Sequence, residues 1–244
     1  MRRKLIVLFL ITVFLITYIV MIDTKYNVRK LFMEYKSEDI TVVIDAGHGG
    51  FDPGKVGINK LLEKDINLSI AIKLQKLLEF HGINVIMTRE EDVDLSSGSG
   101  SAHERKQKDM KERVKIINSG AAVFAISIHQ NSFSQSSIKG AQVFYYHNSD
   151  PGKILAETLQ DYLKETLNDG NHRLAKANNT YYLLKESNCP LVIVECGFLS
   201  NPEEAKKLSN DEYQSKVAWA IHLGVLKYLD DYYGGKKEPF VESN

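Results

Sequence analysis

Cysteine is nearly missing from this 244-residue sequence: Cys189 and Cys196 are the only two. Read as a strand at ~3.3 Å per residue, the segment between them spans about 20 Å. A disulfide tolerates Cα separations of at most about 7 Å, so no intrachain bridge is expected. An excess of charge is missing too, with 31 basic and 31 acidic side chains. That balance argues against a nucleic-acid partner, because phosphate contacts need clustered Lys and Arg. The sequence has no H-E-x-x-H, no C-x-x-C pair, no G-x-S-x-G and no phosphate loop,. Ser127 and Ser132 flank His129 without a nucleophile-elbow context, so a serine hydrolase is not expected. No internal repeat is visible.

The N-terminus has what the rest lacks, a long apolar run. Arg2, Arg3 and Lys4 precede Leu5–Ile22, interrupted only by Thr12, Thr17 and Tyr18. As a helix this run is ~27 Å long, close to the ~30 Å hydrocarbon core of a bilayer. The basic cluster should stay in the cytoplasm and the bulk of the chain should be exported. A cleaved signal peptide has an apolar region of ~7–15 residues and a small-residue cleavage site. Here the run is longer, and Ile22-Asp23-Thr24-Lys25 offers no such site. The expectation is an uncleaved anchor over residues 1–22, with a cleaved signal as the alternative. A linker over 23–39, a catalytic domain over 40–233 and a polar tail over 234–244 follow.

Within 40–233, apolar runs alternate with helical patterns. Strands are expected at Ile40–Ala46, Ile83–Thr88, Ala122–Ile128, Ala141–Tyr146 and Leu191–Glu195, with a weaker one at Tyr181–Leu184,. Helical spacing appears in Ile66, Ile70, Leu74, Leu77 and Leu78, with Gly82 as a stop,. It recurs in Met110, Val114 and Ile117, in Leu155, Leu159, Leu163 and Leu167, and in Val217, Ile221, Val225 and Leu229. Asp92–Ala102 reads as a flexible Ser/Gly loop,. The fold class is therefore α/β: one three-layer domain, with a mostly parallel or mixed sheet of about six strands flanked by helices.

In such sheets sites form beyond the C-terminal ends of the strands. His48 follows the first strand in a Gly-rich turn, His129 ends the third and Glu195 ends a late one, while Glu63 opens a helix. Taken singly, three of these have ordinary explanations: a loop histidine, a core histidine, and an acid complementing a helix dipole. Glu195 differs, since a carboxylate closing the run Val192-Ile193-Val194 is costly to bury without a purpose,. Two histidines and a carboxylate suit zinc with an open position, and a further carboxylate suits a base. Asp45 is a candidate for orienting a ligand imidazole or for holding its turn. Asn131 is a candidate substrate donor or a plain loop residue. His81, His103, His147, His172 and His222 are assigned no metal role.

The stretches together resemble a known family. The landmarks are Ile44-Asp45-Ala46-Gly47-His48-Gly49-Gly50 with Asp52-Pro53-Gly54, Glu63, Met87-Thr88-Arg89 with Asp92, Arg113 with Asn118, Ser127-Ile128-His129 with Asn131, Gly140, and Glu195 with Gly197-Phe198-Leu199-Ser200-Asn201. In this order they are similar to the zinc-dependent N-acetylmuramoyl-L-alanine amidases of the Amidase_3 type. The apolar N-terminus, Leu61-Leu62-Glu63-Lys64-Asp65 and the Ser/Gly insert are most similar to the CwlD-type amidases of endospore formers. The resemblance implies one zinc ion on His48, Glu63 and His129, and Glu195 as the catalytic glutamate. It implies cleavage of the muramoyl–alanine amide in peptidoglycan during spore cortex synthesis, leading to muramic-δ-lactam and germination. Membrane attachment through the N-terminus and an activating or targeting protein partner are further expectations. The alternatives are a non-catalytic peptidoglycan-binding module and a zinc peptidase cutting within the stem peptide.

Overall fold

Three apolar runs ending in chemistry-bearing residues become the centre of a six-stranded mixed sheet. The strands are β1 (Thr41–Ala46), β2 (Asn84–Met87), β3 (Ala122–Asn131), β4 (Gln142–Tyr146), β5 (Lys176–Asn178) and β6 (Leu191–Phe198). Their order is β2-β1-β3-β6-β4-β5. β1 pairs in parallel with β2 and β3, β3 with β6, and β5 with β4, while β4 runs antiparallel to β6. The computed structural model describes residues 13–15, 17–18, 40–120 and 122–233.

The helices are α1 (Glu63–Phe80), α2 (Ala102–Ile117), α3 (Asp150–Leu167), α4 (Tyr182–Glu186), α5 (Pro202–Leu208) and α6 (Asp211–Tyr233). Successive residues of β3 show why the sheet is covered twice. The Phe124 ring meets Tyr228 of α6 edge-on at 5.4 Å. Ala125 instead joins a cluster with Ile117 of α2 and Leu183 and Leu184 of α4. Every residue of β6 is buried, as expected of a strand with helices on both faces. The expected α/β layering is what the chain adopts.

Three local expectations are corrected. Tyr181–Leu184 is not a strand: Tyr182–Glu186 is helical, and the strand lies upstream at Lys176–Asn178. The Asn178 side chain accepts from the amides of Thr180 and Tyr181, turning the chain before the helix. Leu183 and Leu184 are then both buried, which strand alternation would forbid for one face. The Ser/Gly stretch after Asp92 is not loose: Ser96 is buried, and the Asp109 carboxylate accepts from the Leu95 amide at 2.8 Å. Ser101 and Glu104 then close a capping box on α2,. Finally, α5 was not anticipated, although Asn201 followed by Pro202 and two glutamates is a helix start, and Asn201 Oδ1 accepts from the Glu203 and Glu204 amides,.

The chain divides into two compact units, residues 1–39 and 40–244. In the first, residues 13–15 and 17–18 are helical. The expected anchor over 1–22 lies almost wholly outside the described residues, as do the linker over 23–39 and the tail over 234–244. Among the described residues no helix is long and apolar enough to cross a membrane. Cys189 and Cys196 are free thiols.

Candidate metal and active site

The parallel pairing of β1, β3 and β6 brings three strand ends to one edge. Beyond β1 the chain must turn sharply, and the turn is built on left-handed backbone: φ is 61° at His48, 138° at Gly49 and 54° at Gly50. Glycine meets this at little cost, whereas His48 is held there against its preference. Glycine is needed for space as well. A Cβ on Gly47 would sit 2.3 Å from Nε2 of His129, and one on Gly54 would sit 2.6 Å from Oε2 of Glu63.

With its Nε2 edge packed on Gly47, His129 turns Nδ1 toward Glu63 Oε1, 2.9 Å away. His48 Nε2 lies 3.3 Å from the same oxygen. The ligand atoms of His48, Glu63 and His129 all lie within 4.8 Å of one another. Glu63, the first residue of α1, also accepts from the Lys55 amide at 2.7 Å and the Gln130 amide at 3.1 Å. These contacts aim both carboxylate oxygens. Burial would raise its pKa, but His129 and His48 hold it far below the usual carboxylate range. Burial likewise pulls His48 down, yet hydrogen bonds to Asp52 and Glu63 win and lift it to about 9. Two imidazoles and a carboxylate competing for protons at this spacing are a donor set that suits a divalent cation such as zinc.

The partner of the second His48 nitrogen is Asp52, with Oδ2 at 2.8 Å from Nδ1. This is the carboxylate–imidazole contact that fixes a ligand's tautomer. Of the two roles open to Asp45, orienting a ligand imidazole is not the one its hydrogen bonds serve. Asp45 is fully buried and accepts from Thr88 at 2.8 Å, Ser127 at 2.5 Å and Arg113 at 2.6 Å. Burial pushes its carboxyl up, but Arg113 and Ser127 outweigh that and hold it at about 2. Asn131 pairs with Phe198 across the sheet, and its side chain accepts from the Ser132 amide.

Glu195 stands opposite His129 in the β3–β6 register. Its side chain is 9% exposed, and Oε2 finds no hydrogen-bond partner among the described residues. Burial drives its carboxyl up to about 7, against the pull of His129 and with the Glu63 charge adding to the rise. A carboxylate poised near neutrality with a free oxygen is suited to take and return a proton.

Sequence reasoning missed Asp52, Asn67 and Gln130 as supports. Asp52 had a readable signal, an acid four residues after a histidine across glycines. Asn67 had none beyond its helical spacing from Glu63, and it donates to the Gly47 carbonyl at 3.0 Å.

The profile of the N-acetylmuramoyl-L-alanine amidase family matches residues 42–227. The chain is 41% identical over 191 residues to the germination-specific N-acetylmuramoyl-L-alanine amidase of Bacillus subtilis (strain 168), covering 78% of this chain and 80% of that one. Among solved structures it is similar to the CwlD amidase from Clostridioides difficile in complex with the GerS lipoprotein. There the TM-score is 0.77 at 42% identity, covering 79% of this chain and 99% of the other. An N-acetylmuramoyl-L-alanine amidase from Clostridium difficile 630 matches with a TM-score of 0.70 at 34% identity, over 80% of this chain and 100% of that one.

Proposed function

The chain belongs to the N-acetylmuramoyl-L-alanine amidase family, and from that premise we propose a zinc-dependent amidase that strips stem peptides from muramic acid in the spore cortex. The bond cut is the amide between N-acetylmuramic acid and L-alanine. The observation that carries the reading is the unpartnered Glu195 oxygen beside the His48, Glu63 and His129 set.

His48, Glu63 and His129 would hold the ion. Zinc in such a site supplies Lewis acidity for a carbonyl oxygen and makes water more acidic. Asp52 keeps the His48 ring in one tautomer, and Gly47 lets His129 reach the site. Glu195 takes the proton of the attacking water and delivers it to the departing alanine nitrogen. The peptide leaves with a free amino-terminal L-alanine, and the lactyl carboxylate stays on the sugar. A positioned acid–base group of this kind contributes about 10²–10⁴-fold in rate.

The cellular setting follows from likeness. Its relative in B. subtilis is named germination-specific, which supports a cortex role, with the bared muramic acid going on to muramic-δ-lactam. The apolar run behind Arg2, Arg3 and Lys4 supports export with membrane attachment,. The C. difficile relative was solved with a lipoprotein, which supports a membrane-bound protein partner for this chain as well.

The test is product analysis on purified peptidoglycan. New amino-terminal alanine on released peptides is expected. Internal cleavage of the stem would make the protein a zinc peptidase, and binding without release would make it a non-catalytic module.

A further inference from the structure

The turn carrying His48 leaves the sheet at Ala46, where the pairing of β1 with β3 ends. Its next three carbonyls, of Ala46, Gly47 and His48, lose the ladder partners that strand carbonyls have. Buried carbonyls need partners. Two arginines distant in sequence supply them, with Asn67 as a further donor to Gly47 O. Arg89, arriving from the end of β2, donates from Nε to Ala46 O at 2.9 Å and from Nη2 to Gly47 O at 3.1 Å. Arg113, arriving from α2, donates from Nη1 to Ala46 O at 2.8 Å and from Nη2 to His48 O at 2.6 Å. They are 4% and 1% exposed. Two buried guanidinium groups converge on three successive carbonyls of one turn, the turn that presents His48.

This is an unusual place for two cations, next to a site suited to a third. The charge is balanced locally: Asp45 and Asp109 pair with Arg113 at 2.6 and 2.7 Å. The arrangement has a positional reason. His48 has a φ of 61°, and a non-glycine residue in the left-handed region persists only where its surroundings over-determine it. A guanidinium can grip two carbonyls at once through its planar fork, whereas an ammonium is a point donor.

We infer that Arg89 and Arg113 form a guanidinium clamp that positions His48 for metal binding through the backbone of its turn. They are positioning residues, since neither side chain contacts the ligand atoms. The inference rests on the reading of His48, Glu63 and His129 as metal ligands.

The test uses the full-length protein with Arg89→Lys, Arg113→Lys and His129→Ala variants. Zinc affinity is measured by competition with a chromogenic chelator, and cobalt(II) absorption reports ligand geometry. Circular dichroism and thermal unfolding of the metal-free proteins report the fold. The clamp predicts folded Arg→Lys variants whose zinc affinity falls about 10–100-fold, the size typical of losing a group that orients a ligand, with an altered cobalt spectrum. Should Arg113→Lys fail to fold, Arg89→Lys carries the same prediction, because Arg89 makes its hydrogen bonds to backbone carbonyls rather than to a carboxylate. Folded variants with unchanged zinc affinity and cobalt spectrum, alongside a His129→Ala that loses binding, would overturn the clamp alone. Zinc binding that His129→Ala leaves intact would overturn the ligand reading and the clamp with it. Failure of both lysine variants to fold would assign the arginines to stability and overturn the clamp.

Discussion

His129 and Glu195 face each other across adjacent parallel strands, paired in the register that sets Ile128 against Val194. A one-residue slip would put Glu195 on the other face of the sheet. The site therefore depends on strand register as much as on residue identity. The register is in turn fixed by burial of both faces of β3 and β6.

Gly47 should be intolerant of any side chain. A Cβ there would lie 2.3 Å from two atoms of the His129 ring. Gly47→Ala should abolish tight zinc binding and cost about 1–3 kcal/mol of stability, as overpacking does. Metal analysis and urea unfolding of the same preparation would check both. Normal zinc affinity would mean that the His129 ring gives way to the Cβ without losing its place at the site.

Asp52→Ala should leave the fold intact and weaken zinc binding by about 10–100-fold, since it frees the His48 ring whose Nδ1 it holds at 2.8 Å,. Chelator competition would measure the loss. Lys106 also sits 3.1 Å from Asp52. Lys106→Ala, exposed to solvent and remote from the ligand atoms, should have a smaller effect on the same measurement.

Asp45→Ala should be among the most destabilising single changes. It removes the fully buried partner of a buried guanidinium, Arg113, at 2.6 Å. Breaking a buried pair from one side costs about 3–5 kcal/mol. Asp109 still faces Arg113, so the lower part of that range is expected from denaturant unfolding. The Asp45 carboxyl, held at about 2 against an ordinary value of 3.8, contributes stability fully above pH 4. That contribution is lost as pH falls through 2.

His222 gives a second pH signature, away from the site. It is fully buried, and burial first, then the neighbouring His81, lowers its pKa to about 4 from an ordinary 6.5. The folded-state value is depressed, so the unfolded chain takes up the proton first as pH falls. The stability it permits above pH 6.5 should decline between pH 6.5 and pH 4, by up to about 3 kcal/mol at roughly 1.4 kcal/mol per tenfold. His222→Leu should flatten that part of the stability–pH curve. A curve of unchanged slope would mean that other groups set it.

Much of this was legible in the sequence. The β-branched runs before His48, His129 and Glu195 announce buried parallel strands, and strand ends of such sheets gather residues at one edge. What escaped were contacts that join distant segments. Asp45 was open to two readings, orienting an imidazole or holding its turn through local hydrogen bonds, and neither named its partner. It belongs to Arg113, 68 positions later, and nothing in local periodicity records that pairing. The Tyr181–Leu184 stretch has strand-like composition, but the Asn178 side chain turns the chain, and packing of both leucines then decides for helix. The ordered path after Asp92 depends on α2 side chains, so its Ser/Gly composition was a poor guide.

The most direct test of the mechanism is turnover and zinc content measured together on Glu195→Gln. The substitution keeps the shape of the side chain and removes its capacity to carry a proton. Full zinc content is expected, with release of amino-terminal alanine from peptidoglycan reduced by about 10²–10⁴-fold. Near-normal release with zinc in place would contradict the mechanism.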